Sequence, residues 1–340
     1  MFNTESIPIS IAPMMGCTDR YYRFFMRFIT KYTLLYTEMI HTNAILKGDY
    51  KKILDFSNEE KPLALQLGGN NPNDLSECSK IAYNEFNYDE INLNIGCPSD
   101  RVQNGNFGAC LMDHPDLVSE CVYKIKSVVN LPVTIKCRIG IDNKNSYEYL
   151  YNFVKKTSQA GCKKFIIHAR VAILKGLSPK ENRTIPPLKY DYVYQIKKDF
   201  PNLKIHINGG IKKIDEIKNH LNYVDGVMIG REAYENPYLF SNIDKYFFDK
   251  NSIIKNRKEI LEDIKKYLEY LYNNNIPIKY LLLHILGLFN GKEGSKIWRK
   301  YLSENMHNKN CNPSIIDNII KLIPNEILEL REKLWKEKKV

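Results

Sequence analysis

The chain carries eight cysteines, Cys17, Cys78, Cys97, Cys110, Cys121, Cys137, Cys162 and Cys311, yet no C-x-x-C pair and no Cys/His spacing of the kind that holds zinc. Neither a disulfide framework nor a metal site is expected. No apolar secretory region opens the sequence, so the compartment to expect is a reducing cytoplasm. Long apolar runs are missing too. The greasiest stretch, IPIKYLLLHILGLF, is broken by Lys279 and His284 and falls short of the roughly 18 residues a membrane span needs. No internal repeat or low-complexity tract stands out, apart from a bias toward Asn, Lys and Ile. A G-x-G-x-x-G fingerprint after the first apolar run is also absent, which argues against a doubly wound dinucleotide fold.

What is present is a chain of 340 residues with 44% apolar content, enough to bury one large domain and a smaller one. Its formal net charge is +11. A surplus of this size suits a polyanionic partner, although lysines also serve to hydrate a surface. From Asn251 onward there are 17 Lys and Arg against 11 Asp and Glu, so about a quarter of the chain holds +6 of the +11.

Eight short apolar runs alternate with helical patterns: IPISIAPM, LLYTEMI, PLALQLGG, EINLNIG, PVTIKCRIG, KFIIHAR, LKIHINGG and VDGVMIGR. Alternation of this kind specifies a parallel sheet, and eight units in about 250 residues match an α/β fold of the (β/α)8 TIM-barrel type. After Tyr238 the pattern changes. NRKEILEDIKKYLEYLY and PNEILELREKLWKEKK keep helical periodicity with no strand between them. The expected organisation is a barrel over residues 1–245, followed by a smaller all-α domain over residues 250–340.

Chemistry in such a barrel sits at the C-terminal ends of the strands. Those ends carry Pro13, Met14 and Met15 after the first run and Gln66 in the third, then Asn92, Asn94 and Cys97 in and after the fourth. The fifth supplies Lys136 and Arg138, the sixth His168 and Arg170, the seventh Asn208, Gly209 and Gly210, and the eighth Gly230 and Arg231. In INLNIGCPSDRVQNGNFGACLM, a strand runs into Cys97-Pro98 and a glycine-spotted loop that ends at Cys110. A reactive thiol at a strand end is one reading of Cys97; a buried cysteine beside a turn proline is the other. Cys110 reads as structural.

The glycines after strands seven and eight suit a phosphate cradled by backbone N–H groups, or else simply make tight turns. Lys136 has three readings: a Schiff-base lysine, a cation beside the electron-rich edge of a cofactor ring, or a structural ion pair. Flavin mononucleotide (FMN) at the C-terminal mouth is the cofactor that uses the whole set. Its ring would lie over Pro13, Met14 and Met15, with Gln66 and Lys136 at the pyrimidine edge and the phosphate at strands seven and eight. His168 would serve cofactor or substrate, or be a satisfied core histidine.

APMMGCTDRYYRFFMR, ALQLGG, YDEINLNIGCPSDRVQNGNFGACLM, VTIKCRIGIDN, FIIHAR, GLSPKENRTIPPL, INGGI and DGVMIGREAYENP together resemble the tRNA-dihydrouridine synthases, most closely the bacterial A-type subfamily. The resemblance runs from Ile9 to Pro237 and returns in WRKYLSEN. It implies an FMN-dependent, NADPH-using oxidoreductase that reduces the C5=C6 bond of uridine in the tRNA D-loop, at positions 20 and 20a. Cofactor contacts would fall on Pro13, Met14, Met15, Gln66, Lys136, His168, Asn208, Gly209, Gly210, Gly230 and Arg231. The catalytic cysteine falls on Cys97 and a uridine-adjacent asparagine on Asn94, while subfamily tRNA contacts fall on Lys180, Arg183, Lys296 and Arg299. Where the subfamily often has arginine, Lys296 keeps the charge and loses the planar fork. No nicotinamide motif is visible, in keeping with transient docking of NADPH.

The chemistry is consistent with that set. Reducing a uracil takes a hydride at C6 from one face and a proton at C5 from an acid on the other, and a thiol is mostly protonated at neutral pH. A stacked base must be flipped out, so cations have to grip the RNA; Lys300, Trp298 and Tyr301 join the candidates, each alone as readily a solvated charge or core aromatic. Partners to expect are tRNA, with no membrane and no metal, and the chain is expected to act as a monomer. The rivals are an FMN barrel acting on a small pyrimidine or enone, a Schiff-base aldolase, and a non-enzymatic tRNA-binding protein.

Overall fold

A computed structural model describes residues 3–308 and 310–332. Eight strands form one all-parallel sheet: β1 (Ile9–Ile11), β2 (Leu35–His41), β3 (Leu63–Gly68), β4 (Glu90–Ile95), β5 (Val133–Arg138), β6 (Lys164–His168), β7 (Lys204–Asn208) and β8 (Gly226–Ile229). Their order is β1-β8-β7-β6-β5-β4-β3-β2. The ring closes where Ile11 N–H donates to Leu34 C=O at 3.0 Å and Leu34 N–H donates to Ile9 C=O at 3.1 Å. Each of the eight expected runs supplies a strand, and the fold is the expected barrel.

Side chains alternate across each strand, so one parity fills the barrel and the other meets the helices. In β4 the inward parity is Glu90, Asn92 and Asn94; Ile91, Leu93 and Ile95 face outward. Thr134, Lys136 and Arg138 repeat the pattern in β5, and Lys164, Ile166 and His168 in β6. Register sets Gln66 beside Asn92, Asn94 beside Lys136, Arg138 beside His168 and His168 beside Asn208. Part of the interior is apolar, with Ala12, Leu34, Tyr36, Ala64, Ile166 and Met228 in one cluster.

Part of the polar remainder is anchored by a buried ion pair. Lys164 and Glu90, both 0% exposed, meet at 3.0 Å. Tyr36 and Thr134 hydroxyls donate to Glu90 at 2.7 Å each, and Lys164 also donates to Thr4 C=O at 2.9 Å. Every member thus has partners, which is the condition for a buried charge pair to be tolerated.

Packing divides the chain into two compact units: Met1–Met15, Leu34–Ile211 and Glu216–Gly230 in the first, and Gly16–Thr33, Lys212–Asp215 and Arg231–Val340 in the second. The second unit is helical. NRKEILEDIKKYLEYLY forms the helix Arg257–Asn273, opened by a capping box between Asn256 and Glu259. The helix Arg20–Arg27, from the stretch after β1, belongs to this unit and stacks Phe24 on Tyr267 with ring centroids 3.8 Å apart.

PNEILELREKLWKEKK behaves differently from its periodicity. The helix spans only Asn325–Glu329, and Leu330 is extended. There Tyr238 OH donates to Leu330 C=O at 3.1 Å and Asn242 donates to Glu332 C=O at 3.0 Å, so tertiary hydrogen bonds take carbonyls that a continued helix would have used. The rest of that expected helix, residues 333–340, lies outside the described residues. Among the described residues no helix is long and apolar enough to cross a membrane.

Candidate active site at the barrel mouth

A hydrogen-bond chain climbs the inside of the barrel from the ion pair to the mouth. Asn92 Nδ2 donates to Thr134 Oγ1 at 2.8 Å, Gln66 Nε2 donates to Asn92 Oδ1 at 2.8 Å, and Asn94 Nδ2 donates to Gln66 Oε1 at 2.9 Å. The direction of each amide follows from the network itself. Gln66 is therefore fixed from both ends, with one Nε2 hydrogen left for a ligand.

Asn94 in turn builds the Cys97 turn. Its Oδ1 accepts from Gly96 N–H at 3.1 Å and from Cys97 N–H at 3.0 Å. Cys97 is half-buried, its Sγ lies 3.5 Å from Ser99 Oγ, and its C=O accepts from Ala109 N–H at 2.9 Å. That return of the chain over Cys97 needs glycine at 108. Its φ is +77°, and a Cβ would stand 2.6 Å from the Cys97 oxygen and 2.4 Å from Val102.

The glycines of the loop after Cys97 would by themselves leave it free to move over a substrate. Instead it contains the helix Asp100–Asn104 and buries Val102 and Phe107. Gln103 Nε2 ties it to Pro98 C=O and Leu174 C=O, each at 2.7 Å. Apolar side chains facing inward outweigh the flexibility that its glycines allow. Cys110 donates to Phe107 C=O at 3.2 Å, and burial raises its thiol pKa, which suits a structural role.

Lys136 stands across from Asn94, half-buried, and among the described residues its ammonium makes no hydrogen bond or ion pair. Burial, then the neighbouring Arg138, pushes its pKa down to about 8. Cys97 is near enough to act on it electrostatically. The structural ion pair considered for Lys136 is absent among the described residues. His168, at the end of β6, has its pKa driven well down by burial and by Arg138, Lys136, Arg170 and Arg183, so its imidazole is neutral. Its Nδ1 is buried without a partner among the described residues.

The ends of β7 and β8 present glycine backbone at the mouth. Gly209 and Gly210 have φ of +119° and +74°, and a Cβ on either would run into Leu188. Asn208 Nδ2 donates to Met228 C=O at 2.8 Å, which leaves one amide hydrogen and Oδ1. A Cβ on Gly230 would meet nothing nearer than Ala12, at 3.8 Å. Met15 is 66% exposed, while Met14 packs in part on the apolar cluster and Pro13 is half-buried. An unpaired cation, an orphaned imidazole nitrogen and side-chain-free backbone form a set that fits a bound, partly anionic ring cofactor.

The cationic candidates fall in different units. Lys180 and Arg183 are exposed on a short turn after β6, where Arg183 N–H donates to Lys180 C=O at 3.1 Å. Arg231, Lys296 and Arg299 belong to the second unit. Lys296 and Arg299 are exposed on the helix Ser295–Asn305 and line a cleft of about 490 Å³ with Gly291, Lys292 and Ser295. Lys300 pairs with Glu304 at 4.0 Å. Trp298, a candidate to stack on a base, is instead fully buried, donating to Ile285 C=O at 3.1 Å with its ring 4.7 Å from Phe289. With Ser295 it lies on the buried face of the helix, while Lys296 and Arg299 are exposed.

Sequence reasoning passed over Glu90, Thr134 and Lys164 as site residues. The signal was available, because they share inward parity with Asn92, Lys136 and His168. Asn182, buried in the loop after β6, had no such signal.

The profile of the family described as Dihydrouridine synthase (Dus) matches residues 10–323. A tRNA-dihydrouridine(20/20a) synthase of Synechocystis sp. is 52% identical over 321 residues, 94% of this chain and 96% of that one. Its namesake in Vibrio vulnificus is 52% identical over 327 residues, covering 95% and 99%. Among solved structures, a 2-naphthoyl-CoA reductase complex superposes with a TM-score of 0.53 at 12% identity, over 70% of this chain and 50% of the other. Histamine dehydrogenase from Rhizobium sp. 4-9 gives 0.53 at 14% identity, over 70% and 45%. The chain thus spans about half the length of those two structures, which share its fold. With a family match over most of its length and relatives at half identity end to end, the chain belongs to the dihydrouridine synthase family.

Proposed function

We propose that this protein reduces the C5=C6 bond of uridine in the D-loop of tRNA, at positions 20 and 20a, using FMN and NADPH. The activity named for its half-identical relatives supports the substrate. The observation that carries the site is the Asn94–Cys97 turn, which sets a half-buried thiol at the mouth beside an unpaired Lys136. Bound FMN, recharged by NADPH, supplies the hydride for C6. Cys97 Sγ–H gives its proton to C5 and regains one from solvent.

Lys136 and Gln66 would hold the cofactor's pyrimidine edge, and Gly209, Gly210, Gly230 and Arg231 its phosphate. His168, being neutral, offers either a donor or an acceptor there. Pro13, Met14 and Met15 would bed its ring. Asn94 keeps one amide hydrogen to offer the uracil. Lys180 and Arg183 in the first unit, and Lys296 and Arg299 in the second, would grip phosphates while the base is flipped. On this reading the barrel is the catalytic domain and the helical unit binds tRNA. One chain suffices, metal-free and in the cytoplasm.

The experiment is anaerobic. NADPH should bleach a flavin band, unmodified tRNA should restore it and acquire dihydrouridine, and Cys97→Ala should lose the second step while keeping the first. Flavin that stays reduced with tRNA but is reoxidised by free uridine would reject tRNA as the substrate.

A further inference from the structure

Arg138 ends β5, is 5% exposed, and makes no ion pair among the described residues. Three backbone carbonyls take the place of a counter-ion. Its Nε donates to Gly96 C=O at 3.3 Å, and one terminal nitrogen donates to Val171 C=O at 3.1 Å and Asn182 C=O at 2.9 Å. Gly96 is the residue before Cys97. Val171 and Asn182 bracket the loop after β6, whose next residue is Arg183.

That loop is drawn together by Asn182, which is 0% exposed. Asn182 accepts from Ile173 N–H at 2.7 Å and donates to Ile173 C=O at 2.8 Å and Leu177 C=O at 3.1 Å. The loop is thus closed by Asn182 and fastened to the barrel by Arg138. An isolated buried guanidinium is costly to desolvate, and hydrophobic side chains would fill the same space without that cost. What a hydrophobic residue cannot do is span three carbonyls on two segments, for which the planar fork of arginine is suited and a lysine ammonium is not.

We propose that Arg138 is a positioning residue that helps hold the Cys97 turn and the Val171–Arg183 loop in one register, alongside the Gln103 link between Pro98 and Leu174, so that the proton-donating thiol and the RNA-gripping Lys180 and Arg183 share one buried anchor. The assignment of roles rests on the proposed tRNA reduction; the clamp itself does not. Displacing a reacting group by about 1 Å costs on the order of 100-fold in rate. Losing Arg138 therefore lowers kcat and raises KM for tRNA together, whereas losing Asn182 slackens only the loop and raises KM.

Two readouts test this, with flavin content as the folding control. In hydrogen exchange, Arg138→Met should speed the amides of both Gly96–Cys97 and 173–183, and Asn182→Ala only the latter. In steady state with tRNA, Arg138→Met should lose about 100-fold in kcat and several-fold in KM, and Asn182→Ala should keep kcat within about twofold. Arg138→Lys, which keeps the charge but spans fewer carbonyls, should lie between them and covers the case in which the methionine variant fails to fold. Unchanged exchange at Gly96–Cys97 in both Arg138 variants overturns the clamp. Wild-type kcat in Arg138→Lys, or a kcat loss in Asn182→Ala equal to that of Arg138→Met, overturns its positioning role. If the wild type does not reduce tRNA while exchange behaves as stated, the clamp stands and the substrate reading fails.

Discussion

Lys136→Met removes a cation that the fold holds at a cost. Its pKa falls from 10.5 to about 8 because burial and Arg138 disfavour the charged form. The shift is worth about 3 kcal/mol at most, and about 2 kcal/mol once the solvent-facing end of the side chain is allowed for. The penalty is complete below pH 8, where the folded lysine must carry its proton. It fades as pH rises from about 8 toward 10.5, because the folded form then gives up a proton that the unfolded chain still holds. The flavin-free Lys136→Met protein should therefore be more stable than wild type at pH 7, by ~2 kcal/mol or ~3 °C in Tm for a chain of this length, taking ~2.1 cal/mol/K per residue. Near pH 10 the gap should close. On the proposed contact between Lys136 and the cofactor, added FMN should reverse the order by raising Tm of the wild type more. Thermal melts of both proteins at pH 7, 8.5 and 10, with and without FMN, decide it. A variant no more stable than wild type at pH 7, or a gap that ignores pH, would refute the reasoning.

Glu90→Gln leaves Lys164 buried without its counter-ion and should cost about 3–5 kcal/mol, read as a lower denaturation midpoint. Gly108→Ala meets both a left-handed φ of +77° and the Cys97 oxygen at 2.6 Å, so it should lose about 2 kcal/mol or more and displace the thiol. Its dihydrouridine yield should fall while its flavin spectrum persists, which separates the turn from the cofactor site. Lys296→Ala with Arg299→Ala should weaken tRNA binding and flatten its salt dependence by about two phosphate contacts; an unchanged slope in a filter-binding titration would remove these residues from the interface.

The strand runs, their parity and the strand-end residues were legible in the sequence because a barrel repeats one simple pattern eight times. That pattern alone points to a mouth carrying Gln66, Asn94, Lys136, His168 and the glycines after β7 and β8. Helical periodicity likewise located Arg257–Asn273. It held for Asn325–Glu329 and misjudged Leu330 to Glu332, where hydrogen bonds from Tyr238 and Asn242 redirect the backbone. It also offered Trp298 to the RNA, when the tertiary core of the second unit claims that ring.

What the sequence by itself determined is therefore the fold class, the family and the roster of reactive groups, since each depends on local spacing and residue chemistry. Only the tertiary structure decided how those groups are held. Asn94 is committed to the Cys97 turn, Gln66 is locked into a chain ending at Glu90 and Lys164, and Arg138 joins two loops that are more than 70 residues apart at Gly96 and Val171. Such couplings depend on which buried donors meet which acceptors across strands, and that pairing exists only once the barrel has closed.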